Sequence, residues 1–241
     1  MRNYGVIGFP LTHTFSPEYF NSKFLKENIE AIYTAFPIED LTKIRSLVYE
    51  KELSGFNVTI PYKEKIIPLL DSMDNEAKEI GAVNCVKIEN EKLIGFNTDA
   101  YGFQVSLNEL SRSKHRNALV LGSGGAAKAV KHILTKEAIN FTSVARNKSK
   151  GNLLWNDLTE KIISENTLLI NCTPLGMFPN EKSFPPILYS AITKNHLLFD
   201  LVYNPEKTLF MKKGIEYGAI VSNGLQMLQL QADKSWAIWN S

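Results

Sequence analysis

The run over 118–121 is wholly apolar, and it stops at Gly122-Ser123-Gly124-Gly125-Ala126-Ala127 before a helix-patterned stretch begins. A strand, a glycine turn and a helix in that order commit a chain to a crossover unit, and so to a parallel sheet with right-handed connections. The turn fits G-x-G-x-x-A in the context that motif requires. Glycines let the backbone bend sharply and approach a pyrophosphate, while the helix N-terminus offers free N–H groups and a partial positive charge. Gly122, Ser123, Gly124, Gly125 and Ala126 are therefore read as dinucleotide contacts. A plain helix-entry turn is the alternative.

Apolar strand-like runs alternate with amphipathic stretches along most of the chain. Strands are expected over 4–8, 31–36 and 55–60, with a hairpin at 83–88 and 92–96 around the polar turn Glu89-Asn90-Glu91. Further strands are expected over 118–121, 141–145, 168–172, 197–201 and 219–221. Helices are expected from Ser16-Pro17, with serine as N-cap and proline at the first helical position. Others are expected over 41–50, 63–70, 75–80, 99–110, 126–134 and 225–239. The polar stretch 111–117 precedes a restart of the pattern. This gives an α/β protein of two domains. Residues 1–100 plus 224–241 form an α/β substrate domain with a mostly parallel sheet, and residues 101–223 a Rossmann-type domain.

The strand after the glycine turn discriminates between cofactors. NAD sites usually carry Asp or Glu at its end, roughly 20 residues beyond the glycines. Here Ala145-Arg146-Asn147-Lys148-Ser149-Lys150 contains no acid. Arg146 can stack on adenine and pair with a 2′-phosphate, and Lys148 or Lys150 can add charge. NADP is the expected cofactor; a solvated basic loop is the bland alternative.

Two other segments carry polar groups on stiff, apolar stretches that end abruptly. Asn57-Val58-Thr59-Ile60-Pro61-Tyr62-Lys63 ends in a lysine, and Gly95-Phe96-Asn97-Thr98-Asp99 in an aspartate. With the glycine turn they suggest a small hydroxylated substrate, a Lys/Asp proton-transfer pair and a dinucleotide, the set a dehydrogenase needs. Taken singly, Lys63 reads as an exposed first-turn lysine and Asp99 as a helix cap. A first-turn lysine opposes the helix dipole, so stability does not explain it. Hydroxyls at Thr14 and Ser16 could bind a carboxylate beside a helix N-terminus, or simply cap that helix.

At 241 residues, with 44% apolar and 22% charged residues, the chain has material for two cores. The net charge of +2 lacks the basic stripe of a nucleic-acid binder and the polybasic patch of a membrane binder. No run approaches the roughly 18 apolar residues of a membrane span, and the N-terminus lacks a signal peptide's apolar region. Cys85 and Cys172 lie in apolar runs and read as small buried hydrophobes. A cytoplasmic setting is expected, with no metal site at ligand spacing.

The ordered segments resemble the shikimate dehydrogenase family through nearly the whole chain. His13-Thr14-Phe15-Ser16-Pro17 is similar to its H-S-x-S-P, and 57–63 to its N-V-T-x-P-[FY]-K. Gly81-Ala82-Val83-Asn84 is similar to G-A-[VI]-N, and Asn97-Thr98-Asp99 to N-T-D. Arg146 matches the arginine of N-R-T. Asn171-Cys172-Thr173-Pro174-Leu175-Gly176-Met177 resembles N-[AC]-T-P-x-G-M, and 203–208 resembles Y-x-P-x-x-T. The stretch 223–231 resembles [DN]-G-x-x-M-L-x-x-Q.

The resemblance implies reversible reduction of 3-dehydroshikimate to shikimate with NADPH, within aromatic amino acid and chorismate biosynthesis. By position, Thr14 and Ser16 would hold the substrate carboxylate. Thr59, Asn84, Asp99 and Gln231 would bind ring hydroxyls, and Lys63 and Asp99 would flank the reacting oxygen as the catalytic pair. Tyr203 would face substrate on the nicotinamide side, with Gly224 lining that side and Met227 packing near it. Asn147, Lys150 and Thr173 join the cofactor contacts. The partner is a small molecule, with no nucleic acid or membrane, and the chain is a monomer or homodimer.

Several positions depart from the family pattern. Thr14 replaces a serine and keeps its hydroxyl, Ala145 and Asn147 replace the other two residues of N-R-T, and Gln226 fills a position often small. The chain also ends soon after Trp236 and Trp239, so less C-terminal packing on the substrate domain is expected. The rivals are a quinate or dual quinate/shikimate dehydrogenase, a non-catalytic binder of NADP or a ring acid, and a folate-linked dehydrogenase of similar layout. The last leaves the 57–63 and 97–99 segments unexplained.

Overall fold

The computed structural model describes residues 1–11, 15–111 and 115–241. Contacts divide the chain into two compact units, Met1–Thr98 with Gln231–Ser241, and Asp99–Leu230.

The first unit is built on strand β1 (Arg2–Gly8), helix α1 (Phe15–Lys26), strand β2 (Ala31–Pro37), helix α2 (Ile44–Glu50) and strand β3 (Leu53–Val58). Strand β4 (Ser72–Met73), helix α3 (Asn75–Ile80), and strands β5 (Cys85–Glu89) and β6 (Lys92–Phe96) complete its sheet. Among the described residues the strand order is β2-β1-β3-β5-β6-β4. The β1–β2, β1–β3 and β4–β6 pairs are parallel, while β3–β5 and β5–β6 are antiparallel. The β5–β6 pairing follows from the hairpin at Asn90-Glu91, where both residues take positive φ.

Both faces of this sheet are covered, as the period-2 alternation of side chains demands. Ile7, Phe56, Val58 and Val86 join one core with Tyr62 and Ile66. Tyr4, Val6, Tyr33 and Cys85 join a second core with Phe20 and Phe24 of α1 and with the end of the last helix. Gly55 is the notch that admits Trp239: a Cβ there would lie 2.5 Å from the indole. The indole stacks on Tyr4 at 4.8 Å between centroids, and its Nε1 donates to the Val86 carbonyl at 3.0 Å. The partner of the C-terminal helix, which its own pattern does not reveal, is this aromatic face.

The second unit contains most of helix α4 (Thr98–Ser111), then strand β7 (Asn117–Leu121), helix α5 (Gly125–Lys136), and strands β8 (Asn140–Ala145) and β9 (Leu153–Leu154). It continues with helix α6 (Glu160–Glu165), strands β10 (Leu168–Asn171) and β11 (Leu197–Asp200), helix α7 (Leu209–Glu216) and strand β12 (Ile220–Ser222). Helix α8 (Leu225–Trp239) begins here and ends in the first unit. The strand order is β12-β11-β10-β7-β8-β9, every pair parallel. Central strands buried on both faces read as unbroken apolar runs, as 168–170 does before the polar Asn171 at the strand end.

Two expectations need correction. No helix spans 63–70; the segment is a series of turns ending in a single 3₁₀ turn, Ile67–Leu69. Pro68 lacks an N–H, and its ring would clash with the carbonyl four residues back, which stops an α-helix there. Ser16 is not an N-cap either: α1 begins at Phe15, so Ser16 lies inside its first turn. The short strands β4 and β9 and the helices α6 and α7 had no expectation attached. Their runs are too brief or too mixed to show a period.

Trp239→Ala removes a stacked, hydrogen-bonded ring that is only 6% exposed. We expect a loss of about 3–5 kcal/mol in urea-induced unfolding. Trp239→Phe, which keeps an aromatic ring and drops the N–H, should lose clearly less.

Candidate active site

In the first unit the polar residues of the two abruptly ending segments meet in one buried network. Asn84 follows the left-handed C-cap of α3, Gly81 (φ +66°), which turns the chain back under the sheet. Its Oδ1 accepts the Thr98 N–H at 2.6 Å, and its Nδ2 donates to Thr98 Oγ1 at 3.0 Å and to Gln231 Oε1 at 3.3 Å. The preceding residue, Val83, donates its N–H to the Lys63 carbonyl at 2.7 Å. Consecutive residues thus hold the backbone of Lys63 and of Thr98, the residue before Asp99.

Asn57 on β3 donates to the Asn84 carbonyl at 3.1 Å and to Ser235 Oγ at 2.9 Å. It accepts from Tyr33 Oη at 2.7 Å. Burial holds the Tyr33 phenol well above its ordinary range, so it stays neutral and keeps its proton for Asn57. Asn97 donates to the Ala82 carbonyl at 2.8 Å, which fixes the strand end before Asp99. Thr59 sits in the turn after β3, its N–H on Ile7 O and its carbonyl on Tyr62 N–H, each at 2.9 Å.

Lys63 is half-buried and Asp99 is buried. Tyr62 belongs to the core: its hydroxyl donates to the Ile38 carbonyl at 2.6 Å and contacts the Glu39 carbonyl at 2.9 Å. Thr14 lies outside the described residues. Tyr33, Asn57, Thr98 and Ser235 carried no assigned role in the sequence, although Ser235 stands one helical turn beyond Gln231. That spacing was the available signal.

In the second unit β7 and β10 are neighbours at the point where the strand order reverses, where open parallel sheets bind ligands at their carboxyl ends. Gly122 leaves β7 with φ +120°, and a Cβ on it would come within 3.1 Å of the Cys172 backbone. Gly124 is the N-cap of α5 and makes no side-chain cap bond, and a Cβ built on it meets nothing within 4 Å. The turn is thus closed toward the protein and open on the side the helix start faces. A pyrophosphate fits that cradle.

Thr173, opposite the glycine turn, is pinned by Asn171, whose Oδ1 accepts from its N–H at 3.0 Å and its hydroxyl at 2.6 Å. Gly224 is buried under the Leu201 carbonyl, which a Cβ would approach to 2.2 Å. Met227 is buried and Tyr203 half-buried. Arg146, Asn147 and Lys150 are exposed in the loop after β8, the Lys150 N–H turned back onto the Asn147 carbonyl at 3.0 Å. Gln226 donates to Glu109 at 2.6 Å.

A family model described as the shikimate dehydrogenase substrate binding domain matches residues 6–86. The chain is 39% identical, over a 253-residue alignment, to the shikimate dehydrogenase (NADP(+)) of Methanococcus aeolicus, covering 98% of this chain and 90% of that one. It matches the crystal structure of the Aquifex aeolicus shikimate dehydrogenase at a TM-score of 0.90 and 38% identity, over 100% of this chain and 92% of that one. The Thermus thermophilus shikimate 5-dehydrogenase, crystallised with NADP(H) and shikimate, matches at 0.88 and 29% identity over 99% and 93%.

Asp200, at the end of β11, ties this side together. Its carboxylate accepts from Thr208 Oγ1 at 2.6 Å, Asn171 Nδ2 at 2.9 Å and Val202 N–H at 3.0 Å. Burial nevertheless pushes its carboxyl from 3.8 up to about 6, against those three bonds. The folded protein therefore holds this proton more tightly than the unfolded chain. Its contribution to stability is complete below about pH 4 and is lost as pH rises through about 6. Urea unfolding of the wild type and Asp200→Asn at pH 4, 5, 6 and 7 should show the wild type losing ground to the variant up to pH 6, then a constant difference. A wild-type advantage that grows over that window would contradict the assignment.

Proposed function

The chain belongs to the shikimate dehydrogenase family, and we propose that it catalyses the reversible NADPH-dependent reduction of 3-dehydroshikimate to shikimate, a step toward chorismate and aromatic amino acids. The observation that carries this reading is the pair of consecutive residues Val83-Asn84. One holds the backbone of Lys63 and the other that of Thr98, so the lysine-bearing and aspartate-bearing segments are fixed from one point.

Residues 1–100 with 224–241 act as the substrate domain and 101–223 as the NADP domain. Ser16, with Thr14, takes the substrate carboxylate. Thr59, Asn84, Asp99 and Gln231 take ring hydroxyls, and Tyr203 meets the substrate on its nicotinamide side. Gly122, Ser123, Gly124, Gly125 and Ala126 would hold the pyrophosphate. Arg146 would pair with the 2′-phosphate, with Asn147 and Lys150 beside it, and Thr173, Gly224 and Met227 would border the nicotinamide.

NADPH, when bound, supplies hydride to the substrate carbonyl carbon. Negative charge then develops on the carbonyl oxygen. The Lys63 ammonium stabilises that charge and delivers a proton to the oxygen. Asp99 orients the ammonium and accepts from the neighbouring hydroxyl. In the reverse direction the same pair receives the proton.

Cys85 is buried as expected, whereas Cys172 is only partly so; neither is in a disulfide, and desolvation raises both thiols above their ordinary range, Cys85 to about 12. Unreactive thiols suit a reducing cytoplasm. Among the described residues no helix is long and apolar enough to cross a membrane. A monomer and a homodimer are both compatible with this reading.

Turnover is followed at the nicotinamide absorbance band with shikimate or quinate against NADP or NAD. Shikimate with NADP should be the best pair, and no turnover despite tight binding of both ligands would replace the enzyme by a sensor. Lys63→Ala should lower kcat by about 100-fold or more while the KM for shikimate stays within a few-fold. Arg146→Ala should raise the KM for NADP by about tenfold and leave that for NAD unchanged; equal effects on both would remove its assigned role.

A further inference from the structure

Ser235 is fully buried on α8, and its hydroxyl lies 2.9 Å from Asn57 Nδ2, 3.1 Å from Thr98 Oγ1 and 2.9 Å from the Gln231 carbonyl. A serine hydroxyl has one proton and two acceptor sites. The carbonyl of Gln231 can only accept, so the Ser235 proton goes there, the i−4 bond that serines make inside helices. Toward Asn57 and Thr98, Ser235 is then the acceptor.

This fixes the direction of its bonds to the Gln231 carbonyl and to Asn57. Of the three acceptors within reach of the single Thr98 proton, Ser235 Oγ at 3.1 Å is the nearest, ahead of Asn84 Oδ1 at 3.2 Å and Gln231 Oε1 at 3.3 Å. Asn84 Nδ2 therefore donates to Thr98 Oγ1, and its Oδ1 is left for the Thr98 N–H. A second arm arrives from the other side, from Tyr33 to Asn57 and from Asn57 to Ser235. Both arms run one way and end at the Gln231 backbone.

We propose that Ser235 is a positioning residue for the substrate pocket, the junction that fixes which way the side chains of Asn84 and Gln231 present their donors and acceptors. This rests on the reading of those two residues as substrate contacts. With the junction removed, the Thr98 proton turns to Asn84 Oδ1 or Gln231 Oε1 and occupies an acceptor the pocket uses. The Asn57 amide loses one partner while its bond to the Asn84 carbonyl remains.

The test is Ser235→Ala in the full-length protein, read in two ways. In steady-state kinetics the KM for shikimate should rise about tenfold, with kcat within threefold and the KM for NADP unchanged. In amide hydrogen exchange, Thr98 should exchange faster than in the wild type, while β7 of the other unit is unaffected. Equal changes in both KM values, or an unchanged shikimate KM with unchanged Thr98 protection, would overturn the proposal. Should Ser235→Ala not accumulate as folded protein, Tyr33→Phe removes the bond to Asn57 and leaves Ser235 in place. It should raise the shikimate KM selectively, and an unchanged value would likewise overturn the junction. A wild type that does not turn over shikimate would refute the proposed function. The exchange comparison would then still decide whether Ser235 holds Thr98.

Discussion

The Asn84 amide binding Thr98 is the contact on which the rest of the first unit's site depends. At 2% exposure the amide is out of water, so its donors and acceptor must be matched by protein groups. It matches them with a main-chain N–H, a threonine hydroxyl and a glutamine carbonyl oxygen. Each of these bonds is of ordinary strength. Leaving one unmade in a dry interior costs more than making it gains, and that asymmetry makes the arrangement unique. Together with the Asn57 amide, the Asn84 amide locks strand β3, the start of α4 and the Gln231–Ser235 turn of α8 to one another.

The second unit achieves the same precision by backbone shape. Gly122 turns at a φ that L side chains rarely adopt, where Cys172 leaves no space for one. Asp200 and Asn171 then order the facing loop by accepting its N–H and hydroxyl groups. Here a fully buried carboxylate serves as a hub for neutral donors, and its removal from water raises its proton affinity.

Much of the fold was legible because periodicity is a local property. The strands of the parallel sheet stand out as apolar runs, and the glycine turn announces its own strand and helix. Residues such as Lys63 and Asp99 drew notice because each ends a stiff apolar segment. The network between them was not legible. Asn57 and Ser235 are 178 positions apart, and nothing near either one names the other. Ser235 looks like an ordinary helix serine until β3 is laid beneath it. The failure over 63–70 has a local cause that was visible, since Pro68 forbids the helix that its apolar neighbours suggest. At Ser16 the serine–proline pair was read correctly as a helix start but placed two residues late, which is within the scatter of helix ends.

The notch at Gly55 and the indole that fills it impose an order on biosynthesis. The first unit is assembled from both ends of the chain, and its aromatic face stays uncovered until Trp239 has left the ribosome. At ordinary elongation rates that interval is on the order of ten seconds after Thr98 has emerged. The continuous second unit can fold while translation proceeds. The nascent first unit must wait, with Tyr4, Phe20 and Tyr33 open to chaperones, for the final residues to dock.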